Sequence, residues 1–153
     1  MQKIRKKQIL AVTEEALNKA REVAQKRRAT AKHFRRASRS QQGDRRYFEN
    51  VADLAESNLA ELLTFKKEIE ATDEVKNETV KSVSFVEIQY PDGVCFSFYF
   101  TNRSIRLPGL QILTPHSPLG QAIEGKKEGE KFVYEVERDN QHISHTGRIK
   151  KIE

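Results

Sequence analysis

Residues 40–50 of the chain have the sequence SQQGDRRYFEN and lie between two long segments with a helical pattern. Gly43 in this stretch is the only glycine up to residue 90, and no proline occurs in that part of the chain. The other six glycines and all four prolines come later. Because glycine and proline end helices and form turns, this distribution predicts a helical first part joined to a second part of strands and turns.

Apolar residues recur at spacings of three and four on both sides of this stretch. They are Ile9, Val12, Ala16, Ala20 and Val23 before it, and Phe48, Val51, Ala55, Leu59, Leu62, Phe65 and Ile69 after it. This period is typical of a helix with one apolar stripe. Each stripe is too narrow for a helix that is buried all round. The pattern therefore predicts an antiparallel helical hairpin, an intramolecular coiled coil, over residues 1–73.

The tip of this hairpin is predicted near residues 40–49. The first helix is expected to end near residue 41, and Gly43 suits the left-handed position that follows a helix end. Asp44 is a favourable N-cap for the second helix. The two arms also differ in charge, because residues 1–46 contain fifteen Lys and Arg against four Asp and Glu, whereas residues 47–90 contain four against ten. Opposite charges favour pairing of the arms with each other.

The composition excludes several classes of protein. The chain has 153 residues, of which 37% are hydrophobic and 33% charged, so it has apolar material for one modest core. No apolar run approaches the roughly 18 residues of a membrane span, and the first residues lack the apolar region of a secretion signal. Cys95 is the only cysteine, which excludes an internal disulfide and suits a reducing compartment. We expect a cytoplasmic protein that does not span a membrane.

Beyond a polar linker at residues 71–79, the apolar period changes to two. Residues 83–90, 94–100, 131–137 and 147–153 are strand candidates, and Asp92-Gly93 marks a hairpin turn between the first two. Ser117 suits a helix N-cap, Pro118 a first helical residue and Gly125 a helix end. Residues 80–153 are therefore predicted to form a small antiparallel sheet with one short helix, and the whole chain has α+β character.

Several motifs now stand in a fixed order. The run from Ser117 to Glu130 has the sequence SPLGQAIEGKKEGE, the chain closes with GRIKKIE, and Gly43-Asp44 lies midway along the predicted hairpin. This arrangement resembles the Gre family of bacterial transcription elongation factors, GreA and GreB. The resemblance implies an FKBP-like second domain that docks on RNA polymerase at the mouth of its secondary channel. It also implies that the hairpin enters the channel, so that RNA and DNA are met only within the elongation complex.

The resemblance assigns roles to acidic residues at the tip. In the family, tip carboxylates help to hold the second Mg²⁺ of the polymerase and position a water, and the polymerase then cleaves its own backtracked RNA. The matching residues here are Asp44 and Glu49. This implies a protein that is not itself an enzyme and has no cofactor of its own, since the Mg²⁺ belongs to the polymerase active site.

The spacing of these two acids departs from the family. The usual tip has two residues between Asp and Glu, in the pattern Gly-Asp-x-x-Glu-Asn, whereas four separate Asp44 from Glu49. Tyr47 stands where the glutamate is expected. Residues three apart on a helix are neighbours, and residues five apart are not. Glu49 can therefore join Asp44 only if residues 44–48 form a loop.

The remaining predicted contacts are basic or belong to the Ser-Pro motif. They are Arg35, Arg36, Arg39, Arg45, Arg46, Ser117, Pro118, Leu119, Lys126 and Lys127. Arginines at the tip suit RNA phosphates, a nucleoside triphosphate or acidic channel walls, and they also suit pairing with the acidic second arm.

Three alternatives to a cleavage factor stay open. The first is a Gre-like factor that occupies or remodels the channel without stimulating cleavage, which the acid spacing and the tip arginines favour. The second is a basic hairpin that binds nucleic acid directly. The third is an FKBP-type peptide-binding or isomerase module. A monomer is expected, because each arm covers the apolar stripe of the other.

Overall fold

A computed structural model describes residues 3–34, 42–72 and 77–153 of the chain. Its elements are α1 (Lys3–His33), α2 (Gln42–Glu70), β1 (Ser84–Gln89), β2 (Cys95–Phe100), β3 (Ile112–Leu113), α3 (Pro118–Ile123), β4 (Lys131–Arg138) and β5 (Gln141–Ile152). The predicted α+β class, a helical hairpin followed by a small β domain with one short helix, is confirmed. None of the described helices is long and apolar enough to cross a membrane.

The chain divides into two compact units. The hairpin unit is Ile9–Glu70, and the β unit comprises Met1–Gln8 with Ala71–Glu153. The first residues of α1 thus group with the sheet, whereas the sequence-based bounds were 1–73 and 80–153. The reason lies in Arg5, whose guanidinium sits 3.6 Å from the ring centroid of Phe85 and pairs with the buried carboxylate of Glu153.

Contacts between the arms of the hairpin unit define an antiparallel pair. Near the tip, Phe34 stacks on Phe48 with 4.6 Å between ring centroids. At the opposite end, Lys66 pairs with Glu14 at 2.6 Å. A residue late in α1 therefore contacts one early in α2, and the reverse, as the predicted hairpin requires.

The buried seam between the arms is narrow. It contains Ile9, Thr13, Leu17, Ala20, Ala24 and Ala31 from α1, and Ala52, Ala55, Leu62, Phe65 and Ile69 from α2. The predicted α1 stripe was wrong in phase over part of its length: Thr13 and Ala24 are buried where Val12 and Val23 were expected. A polar Thr13 is tolerated in the seam because its hydroxyl donates to the carbonyl of Ile9 at 2.6 Å.

The β unit contains one five-stranded sheet in the order β3-β2-β1-β5-β4. All neighbours are antiparallel except β2 and β3, so the sheet is mixed and not purely antiparallel as predicted. The two-residue β3 follows the long connection after β2, which lets the chain return in the same direction. One face carries the core, which contains Val80, Val86, Ile88, Phe98, Phe100, Ile123, Phe132, Ile149 and Ile152.

The last strand is longer than the sequence pattern indicated. β5 covers twelve residues, of which only the second half was predicted. It pairs with β4 through a two-residue turn in which Asp139 and Asn140 both have positive φ. Asp and Asn tolerate this conformation, and a turn with two positive φ values matches the twist of a hairpin.

The Ser117–Gly120 stretch forms the predicted start of α3. The Ser117 side chain accepts a hydrogen bond from the amide of Gly120 at 3.0 Å and donates one to the carbonyl of Thr114 at 3.0 Å. Gly125 follows α3 with φ of 77°, as predicted for a helix end. A Cβ on Gly120 would lie 1.9 Å from the Thr114 carbonyl oxygen, so no other residue fits this position without movement of the backbone.

We expect Gly120→Ala to lower the free energy of unfolding of the β unit by about 1–3 kcal/mol, because the added methyl collides with a backbone oxygen. Gly43→Ala is the matched control. Gly43 lies in α2 and has no atom near its missing Cβ, so the same substitution there should stabilise the hairpin by up to about 1 kcal/mol. Urea unfolding followed by far-UV circular dichroism and tyrosine fluorescence measures both. Equal effects of the two variants would contradict the clash.

Candidate functional site at the hairpin tip

The described part of the tip is the first turns of α2. Asp44 is exposed and lies inside the helix, in its first turn, because α2 begins at Gln42. The predicted N-cap role of Asp44 and the left-handed conformation of Gly43 are therefore wrong. A carboxylate in the first turn still interacts favourably with the positive end of the helix dipole, which favours the helix.

The two predicted metal ligands are not brought together. Residues 44–49 are helical, and five helical residues place Asp44 and Glu49 about 140° apart around the helix axis. Glu49 instead accepts a hydrogen bond from Nε of Arg45 at 3.2 Å. The residue beside Asp44, three positions on, is Tyr47, whose side chain is 62% exposed.

The tip therefore offers one carboxylate and one phenol on the side where the resemblance led us to expect two carboxylates. Within the described residues, no group of three or more His, Cys, Asp or Glu is placed to hold a metal ion. Asp44 could supply one oxygen ligand to a Mg²⁺ held by a partner, and in this conformation Glu49 could not share that ion. The assignment of both acids to one metal remains a prediction.

The predicted basic contacts fall into two groups. Arg35, Arg36 and Arg39 lie outside the described residues. Arg46 is exposed, and Arg45 is occupied by Glu49.

Much of the basic charge of α1 is paired within the hairpin unit. Arg28 donates to both carboxylate oxygens of Glu56 at 2.8 and 2.7 Å and to Asp53 at 2.5 Å. Lys26 pairs with Glu22 on the same helix at 2.8 Å. The Arg28 pairs are the arrangement that the opposite charges of the arms predicted, whereas Lys26 pairs within its own arm. They leave fewer cations for direct binding of nucleic acid.

The predicted contacts in the β unit differ in accessibility. Both hydrogen bonds of the Ser117 hydroxyl stay within the α3 cap. Leu119 packs against the core, and Pro118 is exposed. Lys126 is half-buried beside Glu130 at 3.9 Å, whereas Lys127 is exposed. Pro118 and Lys127 are therefore the members of this set that a partner could contact most directly.

Sequence reasoning missed two contacts that hold the tip. One is the stack of Phe34 on Phe48. The other is the Arg28 bridge, in which hydrogen bonds from the guanidinium lower the pKa of the Glu56 carboxyl below its usual 4.5. The sequence indicated Phe48 as a member of the apolar stripe, and it indicated the Arg28 bridge through the opposite net charge of the arms, but neither signal identifies the partners.

No protein-family model matches the chain, and no curated protein matches it. Among solved structures, GreA factor homolog 1 (Gfh1) of Thermus thermophilus is 19% identical over 97% of this chain and 92% of that chain, with a TM-score of 0.38. Gfh1 of Thermus aquaticus is 15% identical over 92% and 90%, with a TM-score of 0.39.

A GreA/GreB elongation factor from Nitrosomonas europaea is 15% identical over 60% of this chain and 78% of that chain, with a TM-score of 0.39. The fold is the one described above from the contacts within the chain.

We expect Arg28→Gln to raise the pKa of Glu56 toward its usual value, since the hydrogen bonds that favour the charged carboxylate are lost. A lowered folded-state pKa contributes stability above the unfolded value of 4.5 and loses it as pH falls through the folded value. The variant should therefore be less stable than the parent at neutral pH, and the difference should vanish in acid. NMR titration of the Glu56 carboxyl measures its pKa, and urea unfolding at neutral and acid pH measures the difference in stability.

Because Arg28 and Glu56 are partly exposed, added salt should shrink this difference in stability. An unchanged Glu56 pKa in the variant would show that the bridge does not form in solution.

Proposed function

We propose that this chain is a Gre-type transcription elongation factor that binds RNA polymerase and acts through its secondary channel. The observation that carries the proposal is the combination, in one chain, of a paired hairpin with arms of 31 and 29 residues and a β unit whose α3 is capped by the Ser-Pro-Leu-Gly motif. In the proposal, the β unit docks at the channel mouth through exposed residues near α3, and the hairpin tip enters the channel.

The proposal has two forms, which differ at the tip. In the first, Asp44 and Glu49 complete the ligands of a polymerase-bound Mg²⁺ and stimulate cleavage of backtracked RNA. In the second, the factor occupies the channel and regulates the polymerase without stimulating cleavage. The separation of the two acids around α2, and the pairing of Glu49 with Arg45, favour the second form.

Direct binding of nucleic acid is a weaker candidate. A hairpin that tracks phosphates needs cations free to replace counterions. Arg28, Lys26 and Arg45 are each paired with a carboxylate of the hairpin unit. Such a protein would bind free RNA or DNA with an affinity that falls steeply with salt, and measurement of that dependence separates it from a polymerase-binding factor.

We expect the protein to displace a known cleavage factor from backtracked complexes of its host's RNA polymerase without releasing short 3′ RNA fragments above background. The assay combines a fragment-release gel with a competition measurement at several factor concentrations. Displacement without release supports the second form. Release that is lost in the Asp44→Ala, Glu49→Ala double variant would establish the first form. Glu22→Ala is the control, since it removes an ion pair of the same i,i+4 type on α1. If the protein neither displaces the known factor nor releases RNA fragments, the polymerase proposal is refuted.

A gain-of-function variant tests the geometric reason directly. Removal of Arg45 and Arg46 leaves the sequence Gly-Asp-Tyr-Phe-Glu-Asn, in which Asp44 and Glu49 are three positions apart on one helix face. We expect this shortened protein to stimulate cleavage above the parent, with Mg²⁺ present. Asp44→Asn in the shortened chain should abolish the gain. Equal background cleavage by parent and shortened protein, at saturating occupancy, would show that acid spacing is not what limits the tip.

A further inference from the structure

The strand β4 forms an open edge of the sheet. It is the last strand in the order β3-β2-β1-β5-β4, and it pairs with β5 along its eight residues. In the part of the chain that the structure describes, β4 forms no backbone hydrogen bond outside this ladder. The opposite edge is the two-residue β3. An edge of this length is a template for pairing with another strand.

Two independent features fix which backbone groups of β4 point outward. The carbonyl of Glu130 accepts a hydrogen bond from the amide of Ile149 at 2.9 Å, just before the strand begins. At the other end, the two-residue turn closes on the pair of Arg138 and Gln141. In an antiparallel ladder, inward and outward residues alternate. Even-numbered residues therefore bond β5, and the outward groups belong to Lys131, Val133, Glu135 and Glu137.

The side chains of these four residues are exposed. Val133 has an exposed fraction of 59%, which is large for an apolar residue in a strand. Among the described residues, Lys131, Glu135 and Glu137 take part in no ion pair. Their charges are thus available to a partner strand.

We propose that β4 pairs with β4 of a second copy of this chain, as antiparallel strands related by a two-fold axis at Tyr134. Residues whose backbone groups point outward must face each other across the two copies. Two registers meet this requirement and pair seven strand residues of each copy. In the proposed register, Lys131 lies opposite Glu137 of the second copy, and the same pair recurs by symmetry. The competing register places Glu135 opposite Glu135 of the second copy, where the like charges repel.

Charges on an edge strand usually prevent pairing. Here they favour one partner and one register, because the positive residue stands near one end of the strand and the negative residue near the other. In that register Arg138 also lies opposite Glu130 of the second copy. The pairing departs from the monomer expected from sequence and is independent of the proposed function, since it concerns only the edge of the β unit.

Charge exchange provides the test. We expect Lys131→Glu and Glu137→Lys each to lower the homodimer association constant by about tenfold or more, because each variant faces like charges twice. An equimolar mixture of the two variants should form a heterodimer, in which every facing pair is again opposite. Sedimentation velocity across a concentration series measures both, with one variant labelled in the mixture. Arg106→Glu, at an exposed position outside β4, is the control for charge and should leave the dimer unchanged.

An uncharged variant checks the backbone pairing. Val133→Pro removes one outward amide and leaves the ladder with β5 intact, so it should also abolish the dimer. The heterodimer can form only if both charge variants fold, which separates lost pairing from lost structure. A parent that sediments as a monomer at every concentration would overturn the proposal and leave the edge to a different partner. A dimer that survives both charge variants would overturn it equally.

Discussion

The antiparallel pairing of α1 and α2 through a narrow seam is the interaction on which the hairpin unit depends. Each arm alone is a charged helix with one apolar stripe, and such helices owe their stability in water to the partner that covers the stripe. The seam is not uniform. Large side chains such as Leu17, Phe65 and Ile69 fill the end far from the tip, whereas Ala31, Ala52 and other alanines line the end near it. Because burial stabilises by about 25 cal/mol per Å² of apolar area, the alanine end gains less from packing.

Two other contacts join the arms near the tip. Arg28 binds Asp53 and Glu56 across the alanine section, and the stack of Phe34 on Phe48 joins the arms just beyond it. Opposite charges on the arms therefore meet in the part of the seam where apolar contacts are smallest. A basic first arm is explained in part by this pairing, without a nucleic acid partner.

Much of the fold can be predicted from the sequence, and the predictions that were wrong have identifiable physical causes. The period of the apolar residues and the positions of Gly and Pro predicted the hairpin, the β1–β2 turn and the cap of α3, because each depends on local chemistry. The predicted buried stripe of α1 was wrong at Thr13, where a hydroxyl that donates to a carbonyl of its own helix takes the place of an apolar group. The first half of β5 and the parallel β3 depend on pairing between distant strands, which no local pattern carries. The prediction for the tip failed because α2 begins two residues before Asp44, so that Asp44 lies inside the helix and not at its N-cap.

The position of Phe48 determines what the tip can do. To face Asp44, Glu49 must turn by more than a third of a revolution, and this requires residues 44–48 to leave the helix. Gly43 and the first turn favour such fraying, since the first amides of a helix lack internal partners. Phe48 opposes it, because its ring is held against Phe34 of the other arm and fixes the backbone one residue before Glu49. Any rearrangement that unites the two acids must therefore take place between Asp44 and a fixed Phe48, and it must also release Glu49 from Arg45. A metal held by a partner would have to supply that free energy, whereas occupation of a channel by the hairpin requires no change in α2.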